Sequence, residues 1–437
     1  MQSTVVLGLG ISGIAASELL LRQGFSVIGI EGNRQVLTTD PSLCRLRSLG
    51  AVLQGEEEPL DWSLIQRLVV SPGISPQHPL YRQAIERGIP LIGETAFGLD
   101  FLKKKLVAVT GTNGKTTVTL LVEHILNASG IRAKALGNVG TALCQYALSA
   151  QEEEVFVVEL SSYQLETMGS PVFEAAAILN VTPDHLDRYA GMQEYACAKG
   201  RLVSLVKERR NCFVQKKASL EYESLFRDVS VFGHDPDCHL WTDGESFFEG
   251  KTVACIVPIS YRDKASHEME NCLATWALCR PFGISAEQFV SALETFKKPS
   301  HRIEWVRALR GVDFYDDSKG TNIDAVIQAV NSMRGPVVLI AGGVDKGASY
   351  LPWKEAFLHK VKHMVVLGQA ALKIQGELGP YFPVTLVESL EEAVEVAASL
   401  AWPGDSVLLS PGCSSFDMFR NYSHRGEEFQ NYVRRRL

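Results

Sequence analysis

The run Val107-Ala108-Val109-Thr110-Gly111-Thr112-Asn113-Gly114-Lys115-Thr116-Thr117 constrains this chain more than any other stretch. An apolar, β-branched segment ends in a glycine loop, and residues 118–126 follow with apolar positions at helical spacing. The pattern reads strand, loop, helix. Such a loop suits a polyphosphate, because glycines let backbone N–H groups approach phosphate oxygens and a helix N-terminus adds partial positive charge. Lys115 can reach β- and γ-phosphates, and Thr116 or Thr117 can place a hydroxyl on Mg²⁺. Val109 stands where the first glycine of G-x-x-x-x-G-K-[ST] belongs, so the fit is incomplete. An ordinary strand-to-helix turn with an exposed lysine is the plainer alternative.

The 437 residues allow two to four domains. Hydrophobic residues at 46% and charged residues at 21% are ordinary for a globular protein. A net charge of −7 argues against a broad basic surface for nucleic acid. No apolar run reaches membrane-spanning length, and Met1-Gln2-Ser3-Thr4-Val5 carries no basic leader region, so neither a membrane nor a signal peptide is expected. The nine cysteines are scattered and form no C-x-x-C pair, which fits reduced thiols in a cytoplasm. The ten histidines show no zinc spacing.

Residues 1–93 read as a first α/β domain. Gly8, Gly10 and Gly13 make G-x-G-x-x-G between a strand and a helix, and Glu31 ends the next strand. In a dinucleotide site that acid would bind a ribose hydroxyl. The pattern also fits another diphosphate ligand or a plain tight turn. Ser71-Pro72-Gly73-Ile74 follows directly on an expected strand at 68–70, where α/β sheets place ligands.

Residues 94–298 read as a central domain opened by the glycine loop. Strands are expected at 132–136, 155–160, 176–180, 212–215 and 229–232, alternating with helices as in a parallel sheet. Residues 239–259 suggest a small antiparallel flap with turns at Asp243-Gly244 and Glu249-Gly250. Glu159-Leu160-Ser161-Ser162 puts hard oxygen ligands at a strand end, which suits Mg²⁺. His185, in Asn180-Val-Thr-Pro-Asp-His-Leu-Asp-Arg188, lies in another polar strand-end cluster and is a candidate site residue. Local pattern alone makes Lys199, on an amphipathic helix, a surface lysine.

Residues 299–437 follow a boundary at Phe296-Lys-Lys-Pro-Ser-His-Arg302. Strands at 312–315, 337–341, 364–367, 384–387 and 407–409 again suggest a doubly wound domain. Polar loops follow three of them: Asp316 to Asn322, Gly342 to Lys346 and Ser410 to Asp417. They offer lysines and hydroxyls, which suit an anionic, carboxylate-bearing substrate. The fold class is therefore α/β in three domains: Rossmann-like, P-loop ATPase-like with a flap, and Rossmann-like. The arrangement suggests ATP-driven joining of two substrates.

These stretches together resemble the Mur ligases, ATP-dependent amide-forming enzymes of peptidoglycan synthesis, from end to end. The resemblance rests on Gly8 to Gly13, Ser71 to Ile74, Thr110 to Thr117, Glu159 to Glu166, Asn180 to Arg188, Asp317 to Asn322 and Leu408 to Ser415. Within the family, the stretches at Ser71, Asp317 and Leu408–Asp417 point to D-glutamate addition to UDP-N-acetylmuramoyl-L-alanine, through an acyl phosphate. The resemblance implies that Gly111, Thr112, Asn113, Gly114, Lys115, Thr116, Thr117, Asn271, Arg302 and Asp317 bind ATP. It implies that Ile11, Ser12, Ser71, Pro72, Gly73, Asn138, Gln164 and His185 bind the UDP substrate. Lys319, Thr321, Lys346, Ser415 and Tyr422 would receive D-glutamate. Two Mg²⁺ ions would be served by Thr116, Glu159, His185 and Lys199, the last as a carbamate. Lys115, His185 and Lys199 would be the catalytic residues of a cytoplasmic, monomeric enzyme.

The chain departs from the family pattern in three places. Glu31-Gly32-Asn33-Arg34 stands where an Asp-Thr-Arg type run is usual, His267-Glu-Met-Glu-Asn271 lacks the usual His-Asn pair, and Tyr422 replaces a more usual phenylalanine. Folylpolyglutamate synthases share the phosphate loop, and the Gly8–Gly13 domain argues against them. An NAD-dependent oxidoreductase built on Gly8–Gly13, or a nucleotide sensor, are the readings outside the ligases.

Overall fold

The computed structural model describes residues 2–149, 151–170, 172–262 and 264–435. Contacts divide the chain into two compact units, Met1–Asn180 with Tyr195–Phe296, and Val181–Glu194 with Lys297–Leu437.

The first unit holds two sheets. The first sheet has β1 (Ser3–Leu7), β2 (Ser26–Glu31), β3 (Val52–Gly55), β4 (Ile65–Val70) and β5 (Leu91–Gly93) in the order β3-β2-β1-β4-β5, all parallel. β1 is buried on both faces, which explains its unbroken apolar run. The helix Ile11–Arg22 leaves β1 through a turn tight enough that a Cβ on Gly13 would lie 1.8 Å from the Gly8 carbonyl oxygen. Only glycine fits there.

The second sheet comprises β6 (Lys105–Thr110), β7 (Ala133–Gly137), β8 (Val155–Glu159), β9 (Ala175–Ile178), β10 (Cys212–Gln215), β11 (Ser230–Gly233), β12 (Leu240–Thr242), β13 (Ser246–Glu249) and β14 (Thr252–Ile256). The order is β14-β13-β12-β11-β10-β9-β6-β8-β7. β12 to β14 form the expected antiparallel meander, but β12 also pairs parallel with β11. The meander therefore extends the main sheet rather than standing apart from it. Opposed Trp241 and Phe248 stack with ring centroids 3.9 Å apart and pin its register. The helices Lys115–Ala128 and Ser266–Cys279 share one core, where Val118, Val122 and Ile125 belong with Leu273, Trp276 and Ala277.

The second unit holds β15 (Glu304–Leu309), β16 (Val312–Asp316), β17 (Val337–Gly342), β18 (Val361–Leu367), β19 (Val384–Leu386) and β20 (Ser406–Leu409) in the order β15-β16-β20-β17-β18-β19. All neighbours are parallel except the β15–β16 hairpin. Its turn, Arg310-Gly311, has φ of 51° and 80°, the backbone that matches the twist of a tight hairpin. One face of this sheet packs on Tyr350, Trp353 and Phe357, the other on Val394 and Phe429.

No disulfide joins the nine cysteines, of which seven are buried and two, Cys44 and Cys197, exposed. No helix among the described residues is long and apolar enough to cross a membrane.

Candidate functional site

β6 lies between β9 and β8, so the glycine loop leaves an interior strand of its sheet at the carboxyl end, where α/β folds gather ligands. Gly111 and Gly114 take φ of 149° and 84°, and a Cβ on Gly114 would stand 2.4 Å from Asn271 Oδ1. Asn271, on the helix Ser266–Cys279, thus lies against the loop. Asn180 clamps the loop from the end of β9. Its Oδ1 accepts the N–H groups of Thr112 (3.0 Å) and Asn113 (2.8 Å), and its Nδ2 donates to the Asn113 carbonyl (3.1 Å). Thr112 also meets the Tyr195 hydroxyl at 3.2 Å. Thr116 is buried in the helix's first turn, and Thr117 is half-buried beside it.

Two ammonium groups converge on one carbonyl of this loop. Lys115 Nζ donates to Gly111 O (2.9 Å) and Thr112 O (2.8 Å), and Lys199 Nζ donates to the same Gly111 O at 2.9 Å. Lys199 is only 1% exposed and lies 4.5 Å from the Tyr195 ring centroid. The structure thus overturns the local reading of Lys199 as a surface lysine. Its helix, Met192–Ser204, turns the lysine face inward onto the loop.

Glu159 ends β8, and its register partner on β6 is Val109, so it stands beside the loop at the same sheet end. It is 1% exposed, Oε1 accepts Asn138 Nδ2 at 2.9 Å, and Oε2 has no hydrogen-bond partner among the described residues. A buried carboxylate oxygen without a donor, at the sheet end where a phosphate-type loop begins, is a fitting hard-cation ligand. Gln164, expected as a substrate contact, is largely committed within the protein. Its Oε1 accepts Ser161 N (2.9 Å) and Oγ (3.0 Å) in a capping box, and Nε2 donates to Thr95 Oγ1 (2.9 Å).

In the first sheet the strand order changes sides between β1 and β4, and the turns after both meet there. Ser71 Oγ donates to Gly8 O at 2.7 Å, with Pro72 and Gly73 following. Ile11, at the start of the neighbouring helix, is 79% exposed despite being apolar, and Ser12 is next to it. Glu31 does not present a free carboxylate as a dinucleotide site would need. Its two oxygens accept Leu9 N and Asn33 N, each at 3.0 Å, so it braces the glycine turn. Arg34 is paired with Glu57.

The second unit gathers the three polar loops that follow β16, β17 and β20. Arg425, 3% exposed, reaches Ser318 Oγ and O (3.0 and 2.9 Å) and the carbonyls of Cys413 and Ser414 (3.2 and 3.4 Å). Burial lowers its pKa to about 10. Lys319 Nζ stands 3.7 Å from the centroid of the Tyr422 ring, a cation–π contact that the ring substitution preserves. Thr321 is half-buried and Ser415 buried in the same loops. Lys346 Nζ pairs with Asp184 Oδ1 at 3.0 Å, and both side chains are largely buried. Asp184 also accepts the His185 N–H at 3.0 Å, and His185 sits at φ 56°, an uncommon backbone for a non-glycine. Asp184 and Asn180 are the functional candidates that residue typing missed. Each lies in the stretch already singled out at residues 180–188, and neither has a local signal separating it from its neighbours.

Asp317 is buried, accepts Ser410 Oγ at 2.7 Å, and has its carboxyl pushed up to about 7 by burial, against the pull of Ser410 and Arg302. Asp316, His301 and Glu304 bring ligand atoms within 4.8 Å of one another. Their spacing is filled by hydrogen bonds rather than by a cation site. His301 Nδ1 meets Asp316 Oδ2 at 2.6 Å, and Gln430 Nε2 donates to both carboxylates at 2.8 and 3.1 Å.

A central sheet bearing a lysine-rich glycine loop, flanked in sequence by two further α/β sheets with polar strand-end loops, has close counterparts among known proteins. The Mur ligase MurD-like N-terminal domain matches residues 2–93, the Mur ligase middle domain residues 109–278, and the Mur ligase glutamate ligase domain residues 301–413. The chain belongs to the Mur ligase family. It is 46% identical over 434 residues to the UDP-N-acetylmuramoylalanine–D-glutamate ligase of Protochlamydia amoebophila, covering 99% of this chain and 98% of that one. It is 36% identical to the enzyme of the same name from Trichlorobacter lovleyi, covering 99% of each. Among solved structures, the UDP-N-acetylmuramate–alanine ligase MurC of Thermotoga maritima shares the fold at a TM-score of 0.61 and 17% identity, covering 99% of both chains. MurF of Acinetobacter baumannii does so at 0.63 and 18%, covering 98% of this chain and 93% of that one.

Proposed function

We propose that this chain is an ATP-dependent ligase that forms an amide between the L-alanyl carboxylate of UDP-N-acetylmuramoyl-L-alanine and the amine of D-glutamate. The observation that carries this reading is the convergence of Lys115 and Lys199 on Gly111 in a family member 46% identical to a ligase of that name. Residues 1–93 form a Rossmann-like domain for the UDP end, using Ile11, Ser12 and Ser71-Pro72-Gly73. Residues 94–298 carry a P-loop from Gly111 to Thr117, with Asn271 against the adenine and Asn138 and Gln164 toward the acyl substrate. Residues 299–437 bind D-glutamate through Lys319, Thr321, Lys346, Ser415 and Tyr422, while Arg302 and Asp317 contact the nucleotide.

In this mechanism the substrate carboxylate attacks the γ-phosphorus, forming an acyl phosphate and releasing ADP. The free amine of D-glutamate then attacks the acyl carbon, and phosphate leaves. Both steps bring anions together, so cations must offset the repulsion. Lys115 swings from the loop carbonyls to the β- and γ-phosphates. Thr116 and Glu159 are the first unit's ligands for Mg²⁺, and His185 is the second unit's candidate. Bound there, Mg²⁺ would neutralise developing phosphate charge. Lys199 is assigned as a carbamate, formed when its neutral amine adds to CO₂ with loss of a proton. Lys319 and Lys346 hold the D-glutamate carboxylates as charge-assisted donors.

The test is phosphate release from ATP and Mg²⁺ in the presence of UDP-N-acetylmuramoyl-L-alanine, with D-glutamate, L-glutamate or meso-diaminopimelate added singly. Release with D-glutamate alone is expected. Release with another amino acid would move the chain within the family, and no release with any would overturn the ligase reading.

A further inference from the structure

Resting on the reading above, we propose that Tyr350, Asp345 and Lys373 form a positioning brace that fixes Lys346 and Ser415 for the incoming amino acid. Tyr350 and Lys373 lie outside every stretch the sequence singled out, and Asp345 was seen only as part of the polar loop from Gly342 to Lys346.

Lys346 is held on both sides along the chain. On one side, Asp345 has both carboxylate oxygens occupied: Oδ1 accepts the Tyr350 hydroxyl at 3.1 Å, and Oδ2 takes Lys373 Nζ at 2.8 Å. On the other side, Lys373 Nζ also donates to the Ala348 carbonyl at 2.8 Å. One ammonium on the helix Ala371–Leu378 thus ties down the residue before Lys346 and the residue two after it. Lys373 also neutralises the carboxylate next in sequence to Lys346, leaving the Lys346 charge for Asp184 and for substrate.

The same brace reaches the loop that carries Ser415. The Tyr350 hydroxyl meets Cys413 Sγ at 3.0 Å. Val344 and Ser414 form an isolated antiparallel bridge, with N–H to O distances of 2.9 and 3.2 Å in the two directions. Tyr350 is 1% exposed and locked edge-on against Trp353, with centroids 5.1 Å apart, so its hydroxyl has little freedom to choose other partners. Burial keeps the Cys413 thiol protonated, with its pKa pushed up to about 11, so it serves the network as a neutral neighbour rather than a nucleophile. Two substrate loops therefore share one buried polar junction whose members satisfy each other. Such junctions specify one geometry, because a partner lost leaves a buried group unsatisfied.

The experiment compares Tyr350→Phe, Lys373→Met and Lys373→Arg with the wild-type chain. Tyr350→Phe keeps the packed ring and removes only the hydroxyl. The KM for the amino acid that the wild-type chain accepts should rise about tenfold in Tyr350→Phe and Lys373→Met, with the KM for ATP and for the UDP substrate within twofold of wild type. Lys373→Arg, which keeps a charged donor, should recover most of the loss. In parallel, hydrogen exchange at the Val344 and Ser414 amides should accelerate at least tenfold in the first two variants. Unchanged KM and exchange would overturn the brace, as would a uniform loss across all three substrates without rescue by arginine. If the wild-type chain turns over no amino acid, the ligase reading fails by itself, and the exchange rates still decide whether the junction orders the two loops.

Discussion

Glu159→Gln should make the metal-free protein more stable while abolishing its response to Mg²⁺. Glu159 is 1% exposed, and among the described residues only one of its two carboxylate oxygens has a hydrogen-bond donor, Asn138 Nδ2 at 2.9 Å. A glutamine can keep that acceptor and removes a buried negative charge. Leaving a buried polar atom unsatisfied costs about 1–3 kcal/mol, more when it is charged. Relief of that cost should raise stability by about 1–2 kcal/mol, because the new amide must find its own acceptor. For a unit of this size that corresponds to a few degrees in the midpoint of its thermal transition. The opposite sign is expected with metal. A ligand at about a hundred times its Kd adds about 2.7 kcal/mol to the native state, and the variant should lose nearly all of this. Differential scanning calorimetry with EDTA and then with a Mg²⁺ series reads both effects on the same sample. A lower midpoint for the variant in EDTA, or a Mg²⁺-dependent rise equal to that of the wild-type chain, would refute the assignment of Oε2 to a cation.

The other expectations are simpler. Gly13→Ala should destabilise the first unit by about 3 kcal/mol or more, read by urea unfolding, because its Cβ meets the Gly8 carbonyl at 1.8 Å and backbone cannot yield as a side chain can. Gly114→Ala should raise the KM for ATP at least tenfold in a steady-state assay, since it needs φ of 84° and space occupied by Asn271 Oδ1. Asp317, with its carboxyl raised to about 7 by burial, binds its proton more tightly folded than unfolded, so its contribution is complete below about pH 4 and is lost as pH rises through 7. Asp317→Asn should therefore stabilise the second unit more at pH 8 than at pH 4, measured by thermal midpoints at the two values, and equal shifts would refute the sign.

The sheets were readable where strands are long, apolar and bounded by glycine or polar loops. β1, β8 and β17 are buried along their whole length, and β6 along all of it but Lys105, so they announce themselves as continuous apolar runs. β3 and β15 were not anticipated, and both are outermost in their sheets. Val52 of β3 is 58% exposed and Trp305 of β15 54%, so apolar residues there face out and blur the alternation that marks a half-buried strand. The meander at β12–β14 was readable as turns and short strands. Its parallel pairing with β11 was not, because register between distant strands is decided by packing and not by local pattern.

The site divides in the same way. The glycine loop, Glu159 and the polar loops after β16, β17 and β20 could be found because strand ends and glycines leave local marks. Lys199 could not be told from a surface lysine by its neighbours, since a lysine on an amphipathic helix is bland until the helix is docked. Docking turns it inward, so that its ammonium and that of Lys115 both donate to Gly111 O at 2.9 Å. The two charges then stand within about twice that distance of each other, one of them almost wholly buried. Two like charges at that separation repel each other, and an anion bound at the loop offsets the repulsion. Lys199→Met, which removes one of the two charges beside the loop, should therefore weaken ATP-dependent turnover, read as phosphate release. Turnover equal to that of the wild-type chain would show that the inward turn of Lys199 serves packing alone.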